Sequence, residues 1–254
     1  MTWPGVLLAV AAVLLGCVLQ RTSGMGVGLV VSPALVLLVG PAQGVLMTNA
    51  TAVVSAALMT VAARADVDWG RYLRMAPVAV LGSVPAALLV REAGPGWLEL
   101  VIGVVLLVSV GGTTLIPRLP QARPLPAGLT AGVVGGFLNT AVGVASPAFL
   151  AYARVTSWDQ RAFAATLQPL FGTLGLVSVI VKAAFGSVPE AEVSAWPLLV
   201  AVMAAVPVGV LLGGVLSRQV SMRSARRLAV AVVVLGAAGT LVRGLVELTG
   251  AGGT

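Results

Sequence analysis

Apolar residues run along this chain in long blocks, at about 5–20, 33–62, 75–90, 97–116, 126–152, 162–183, 195–216 and 227–246, with short polar stretches between them. Most blocks approach the roughly 20 residues that an α-helix needs to cross the hydrocarbon of a bilayer. The short alternating segments of a transmembrane β-barrel are absent. The pattern predicts an all-α polytopic membrane protein. Two blocks, 33–62 and 126–152, carry internal glycines and prolines, and the second is too long for one crossing and short for two. The interruptions are RTSGMGVGLVVSP at 21–33 and GGFLNTAVGVASP at 135–147.

Arginine placement orients the crossings, because cytoplasmic loops carry the excess of Lys and Arg. Arg64, Arg71 and Arg74 mark one inside loop, and Arg218, Arg223, Arg226 and Arg227 mark another. The stretch with Glu190 and Glu192 goes outside. Counting crossings then places Arg91 and Glu92 outside, and Arg118, Arg123, Arg154 and Arg161 inside. Residues 126–152 therefore start and finish on one face, which predicts a re-entrant hairpin. In the first half the turn at Gly40-Pro41 lies outside, so the opening hairpin enters from there.

Each half becomes one broken re-entrant hairpin plus three transmembrane helices. Three is odd, so the halves are inverted relative to each other, with repeat units at 1–120 and 121–254. Echoes in the sequence fit this pairing: Ser32-Pro33 with Ser146-Pro147, Pro77 with Pro197, Val84-Pro85 with Val206-Pro207, and Gly112-Thr113 with Gly239-Thr240.

Non-helical chain survives in hydrocarbon only where protein or a water-filled cavity supplies partners for its N–H and C=O groups. Gly24, Gly26 and Gly28, and Gly135, Gly136 and Gly143, permit such backbone. Ser followed by Pro reads as a helix start, serine capping and proline in the first turn. Ser32-Pro33 and Ser146-Pro147 are thus expected to be two helix N-termini converging near the midplane, where free N–H groups favour an anion. For any single glycine the alternative is close helix packing.

Few other polar residues interrupt the apolar blocks. Thr48, Asn49 and Thr51, and Thr166 with Gln168, take equivalent places in the two halves; they line the cavity or serve as interhelical hydrogen-bond glue. Asn139 and Thr140 lie inside the second break and are the stronger binding candidates. Arg21 either neutralises a substrate anion or reaches the far interface. Lys182, at the end of a block, is expected to snorkel to the interface.

Composition narrows the chemistry further. The 254 residues are 59% hydrophobic and 9% charged, and the net charge of +7 comes from arginines in short loops, which argues for topology and against nucleic-acid binding. There is no histidine, and the single cysteine, Cys17, sits in an apolar run. No metal site and no cofactor are expected from such residues. The eight acidic residues fall in loops or near segment ends, which disfavours a buried-carboxylate proton relay or an acid/base enzyme. The N-terminus lacks the basic start and cleavage site of a secretory signal and is read as part of the first segment.

The glycine-rich break, Ser32-Pro33 and Thr48-Asn49 in one half, with the second break, Ser146-Pro147 and Gln168-Pro169 in the other, resemble the TauE/SafE family of sulfite exporters and toluene-sulfonate-uptake permeases over nearly the whole chain. The resemblance implies a multi-pass transporter in the cytoplasmic membrane of a bacterium, moving small sulfur-containing anions such as sulfite or organosulfonates. The second break is less glycine-rich than the family's pattern, with Leu138-Asn139-Thr140 there, which bears on the substrate more than on the fold. The expected partners are a small anion and the lipid bilayer, with a homo-oligomer left open. An anion channel and a non-transporting subunit of a membrane complex are the competing readings.

Overall fold

The computed structural model describes residues 3–115, 121–187, 196–216 and 222–250, and among these every regular element is helical. In chain order they are α1 (Trp3–Ser23), α2 (Val27–Val39), α3 (Pro41–Ala63), a 3-10 turn (Arg64–Asp66), α4 (Trp69–Met75), α5 (Ala79–Glu92), α6 (Pro95–Leu115), α7 (Pro124–Val142), α8 (Ser146–Val155), α9 (Gln160–Ala184), α10 (Trp196–Leu216) and α11 (Met222–Thr249). Six of them, α1, α3, α7, α9, α10 and α11, are long and apolar enough to cross a membrane. The α4–α5 pair, bent by 42° after Met75, makes a seventh if it counts as one span. Arg118, Arg218, Glu190 and Glu192, used above to orient the chain, lie outside the described residues.

Local sequence explains the joints. Gly40 takes a φ of 85°, and Pro41 follows in the first turn of α3, so the 33–62 block divides there. Asp68 starts α4 by accepting from the Arg71 N–H at 2.9 Å. Asp159 starts α9 by accepting from the N–H groups of Arg161 and Ala162 at 3.1 and 2.9 Å. These are ordinary carboxylate caps that satisfy first-turn donors. The 126–152 block divides at Gly143 into α7 and the short α8. The two ends of that block meet, because the Ala122 N–H donates to the Val155 carbonyl at 3.0 Å.

Small residues let the helices close on one another. A Cβ on Gly82, Gly132 or Gly136 would strike the carbonyls of Val133, Met75 and Ala79, so α7 touches both α4 and α5 backbone to backbone. Gly96 and Gly244 play the same part between α6 and α11, and Gly209 and Gly213 between α10 and α1. The main contacts pair α1 with α10, α5 with α7, α3 with α9, and α6 with α11. When α1, α3, α5 and α6 are exchanged for α7, α9, α10 and α11, this set of pairs maps onto itself. Gly135 and Gly136 belong to this packing, Gly135 lying against the Phe149 ring, and they do not open the break.

Candidate functional site

The first break begins where Gly24, at φ +79°, turns the chain out of α1 while its N–H still donates to the Gln20 carbonyl at 2.8 Å. Only glycine fits there, since a Cβ would lie 2.8 Å from that of Ala164 on α9. The chain doubles back against α1, and α2 starts at Val27 with Gly26 before it, a residue with no side chain to cap the helix. The cap comes from a distance: the Gln20 Oε1 accepts from the Val27 N–H at 3.2 Å. The Gln20 Nε2 donates to the Gln168 Oε1 at 2.8 Å. Gln168 in turn donates through Nε2 to the carbonyls of Ala164 at 2.9 Å and Gly24 at 3.3 Å. Two buried amides from α1 and α9 thus hold the non-helical chain.

The second break uses the same device. Gly143 has φ +78°, and its N–H donates to the Asn139 carbonyl at 2.9 Å. The Asn139 Nδ2 donates to the Asn49 Oδ1 on α3 at 2.9 Å. Asn49 donates back to the Asn139 carbonyl at 3.2 Å and to the Ser178 hydroxyl at 2.7 Å. Glutamine 20 answers to asparagine 139, glycine 24 to glycine 143, and asparagine 49 to glutamine 168, all at one constant separation along the chain.

The two breaks touch. A Cβ on Gly28 would run into the Gly143 carbonyl, and the Ser32 hydroxyl donates to the Val142 carbonyl at 2.6 Å. Between them lies a cavity of about 20 Å³ whose wall includes Gln20, Gly26, Gly28, Asn139, Gly143 and Ser146. That is room for about one water molecule. Ser146, only 8% exposed, lines this cavity, and its hydroxyl makes no hydrogen bond among the described residues. A second cavity of about 280 Å³ is lined by Gln20, Arg21, Gly24, Asp66, Arg161 and Gln168, among others. Gln20 stands in the wall of both. Arg161 is exposed and pairs with Asp66 at 2.9 Å, so the larger cavity reaches the surface as a vestibule.

Several expectations change. Ser32-Pro33 does not start a helix: Pro33 lies inside α2, and the helix begins at Val27. Ser-Pro marks helix starts only on average, and here Gly26 ended the preceding irregular chain first. Ser32 ties the two breaks together instead of capping. Ser146-Pro147 does open α8, with Pro147 in its first turn, but the cap position is Ala145 and no side chain caps it. The serine hydroxyl is left for the cavity. Ser32 and Ser146 therefore do not hold equivalent places, and the amide pairs are the true echo.

Arg21 is exposed in the last turn of α1 and lines the vestibule, outside the small cavity. Thr140 is fully buried beside Asn139, with its hydroxyl unpartnered. Asn49 and Gln168 are interhelical glue, and Gln168 also lines the vestibule. Thr48 and Thr51 donate to carbonyls of their own helix, Gly44 at 2.8 Å and Met47 at 2.7 Å. Lys182 is 1% exposed, so it does not snorkel to the interface. Glu99 lies near the start of α6 as expected but is wholly buried, 3.2 Å from Arg243. Gln20 and Ser178 escaped the sequence reading. The signal for Gln20 was its place one helical turn before Gly24, matched by Asn139 before Gly143.

A family model described as sulfite exporter TauE/SafE matches residues 8–240 of the chain. No curated protein and no solved structure matches it.

Proposed function

Because the chain belongs to the sulfite exporter TauE/SafE family, a family of membrane transporters, we propose that it is a secondary transporter carrying a small sulfur-containing anion through the cavity between the two breaks. The observation that carries this reading is the junction itself. Two glycine-based breaks meet around a cavity lined by Ser146, whose hydroxyl has no partner among the described residues, and Gln20 lines both that cavity and a surface vestibule.

The broken helices supply donors where the dehydrated anion needs them. The N–H of Ser146, the first residue of α8, has no acceptor within the helix, Pro147 has no N–H, the Ala148 N–H donates to the Ala145 carbonyl at 3.2 Å, and the positive end of the helix dipole points to the break. Gly28 and Gly143 bring backbone within reach because neither has a side chain. Discontinuous helices of this kind build the midplane sites of many transporters. The length of α8 fits such depth: its 10 residues reach roughly 15 Å, half of a hydrocarbon core of roughly 30 Å. With the ends of the 126–152 block hydrogen-bonded together, α7 and α8 are read as a hairpin that enters and leaves by one face, and the matching contact pairs of the two halves favour the inverted repeat. Alternating access then opens one amide pair, Gln20–Gln168 or Asn139–Asn49, while the other stays closed.

Ligand-induced thermal stabilisation of the purified protein tests this reading, since a ligand that prefers the folded state raises its melting temperature. Sulfite and methanesulfonate are expected to stabilise, with chloride and acetate weaker. Ser146→Ala is expected to weaken binding about tenfold or more, as a hydrogen bond to a charged group is worth about 1.5–3 kcal/mol. Equal stabilisation by every anion, or full retention in the serine variant, would contradict the site.

A further inference from the structure

Resting on that transport reading, we infer that the cavity selects monoanions, taking hydrogensulfite and singly charged sulfonates and rejecting the dianions sulfite and sulfate. The wall between the breaks consists of Gln20, Gly26, Gly28, Ala52, Asn139, Gly143, Val144, Ala145, Ser146 and Phe171, and none carries a charge. A site without cations holds an anion by hydrogen bonds alone. The solvation lost on burial grows with the square of the charge, so a dianion forfeits about four times what a monoanion does while the neutral donors repay it only about twice as well.

The donors are also few. Gln20 gives one of its two amide N–H groups to Gln168, and Asn139 gives one of its two to Asn49. Besides the second N–H of each amide, the cavity offers the Ser146 hydroxyl and the Ser146 backbone N–H that opens α8; the Val27 N–H, first in α2, is already given to the Gln20 Oε1. Those groups suffice for one negative charge spread over a sulfonyl group, which is the charge of hydrogensulfite and of a simple sulfonate.

The charged residues nearby stand one step away. Arg21, Asp66 and Arg161 line the vestibule on the far side of Gln20, and Asp66 and Arg161 neutralise each other at 2.9 Å. Arg21 raises the local concentration of any anion without entering its final shell. The cavity as it stands, about 20 Å³, is smaller than a sulfonyl group, so the anion enters only when Gln20 releases Gln168 and the two spaces join. Both amides remain neutral in that rearrangement, which adds no charge to the residues between the breaks, and Arg21 and Arg161 belong to the wall of the vestibule.

Sulfite itself provides the test, because it loses its second proton near neutral pH, whereas methanesulfonate stays a monoanion and sulfate a dianion. Binding of all three to the full-length, detergent-purified protein is measured by anaerobic calorimetry from about pH 6 to about pH 8.5. The chain holds no histidine, and methanesulfonate corrects for any other titration of the protein. The affinity of sulfite relative to methanesulfonate is expected to fall by about tenfold per pH unit once hydrogensulfite deprotonates. Sulfate is expected to bind at least about tenfold more weakly than methanesulfonate at every pH. Arg21→Gln should weaken all three anions and keep their order, and Ser146→Thr, which retains the hydroxyl, should keep the order as well.

A sulfite-to-methanesulfonate ratio that is flat or rises with pH, or sulfate binding as tightly as methanesulfonate, would overturn the monoanion preference and leave the transport reading standing. Failure of all three to bind a folded sample would overturn both. Loss of the preference in Arg21→Gln would place the selection in the vestibule and remove it from the cavity.

Discussion

At the residue scale, glycine is required at two positions, Gly24 and Gly143, where φ is positive and a neighbour lies close. Gly143 needs its φ of +78°, and a Cβ there would lie 3.1 Å from the Ser32 hydroxyl. Gly143→Ala is therefore expected to destabilise the protein by about 1–2 kcal/mol, the usual cost of left-handed backbone for a residue with a Cβ, read as a lower melting temperature. Gly24→Ala adds a collision with Ala164 and is expected to cost more. An unchanged melting temperature for both would show that the breaks tolerate ordinary backbone. The buried amides make a second prediction. Replacing Gln20 or Gln168 by leucine orphans one buried atom of its partner, the Gln168 Oε1 or the Gln20 Nε2, so each single change is expected to cost about 1–3 kcal/mol and the double change less than their sum. Additive losses would mean that the pair is not coupled.

At the element scale, each broken span is held from outside itself. The start of α2 depends on Gln20 of α1, and Gln20 depends on Gln168 of α9; across the molecule Asn139 of α7 depends on Asn49 of α3. These cross-helix bonds explain what the sequence disclosed and what it hid. Long apolar blocks, the Gly40-Pro41 turn and the break before Ser146-Pro147 were legible because helix length, proline and glycine act locally. The start of α2 was not legible, because its cap is a glutamine seven residues upstream and not the serine beside the proline. The burial of Lys182, expected to snorkel, and of Glu99, which does lie near the start of α6, has a related reason: position near a block's end says nothing of whether a neighbouring helix covers the side chain. The Asn49 to Gln168 correspondence was visible, but its partners Gln20 and Asn139 became evident only from the contacts. At this scale Gly136→Leu is expected to separate α5 from α7, where the Ala79 carbonyl leaves no room, and to prevent a folded product on size-exclusion chromatography. A monodisperse, normally melting variant would contradict the close approach.

At the scale of the whole molecule, the vestibule lies at the end that carries Arg64, Asp66, Arg71, Arg154 and Arg161, around the turn after α3 and the start of α9. Basic loops of this kind face the cytoplasm, so we propose that the vestibule faces inward while the junction between the breaks is closed. Cys17 is the protein's single cysteine and is buried, which gives a quiet background for labelling. Thr22→Cys, on the vestibule wall, should react with a membrane-impermeant thiol reagent added to inside-out vesicles and not with the same reagent added to intact cells. Labelling from the outer face alone would reverse the orientation. The central claim, that an anion crosses through the junction of the two breaks, is tested most directly by counterflow of labelled sulfite in liposomes containing the purified protein. Saturable exchange driven by unlabelled sulfite inside the vesicles is expected, reduced about tenfold or more by Ser146→Ala in a protein that still folds; exchange that never saturates, or that the serine substitution leaves untouched, would rule out passage through the junction.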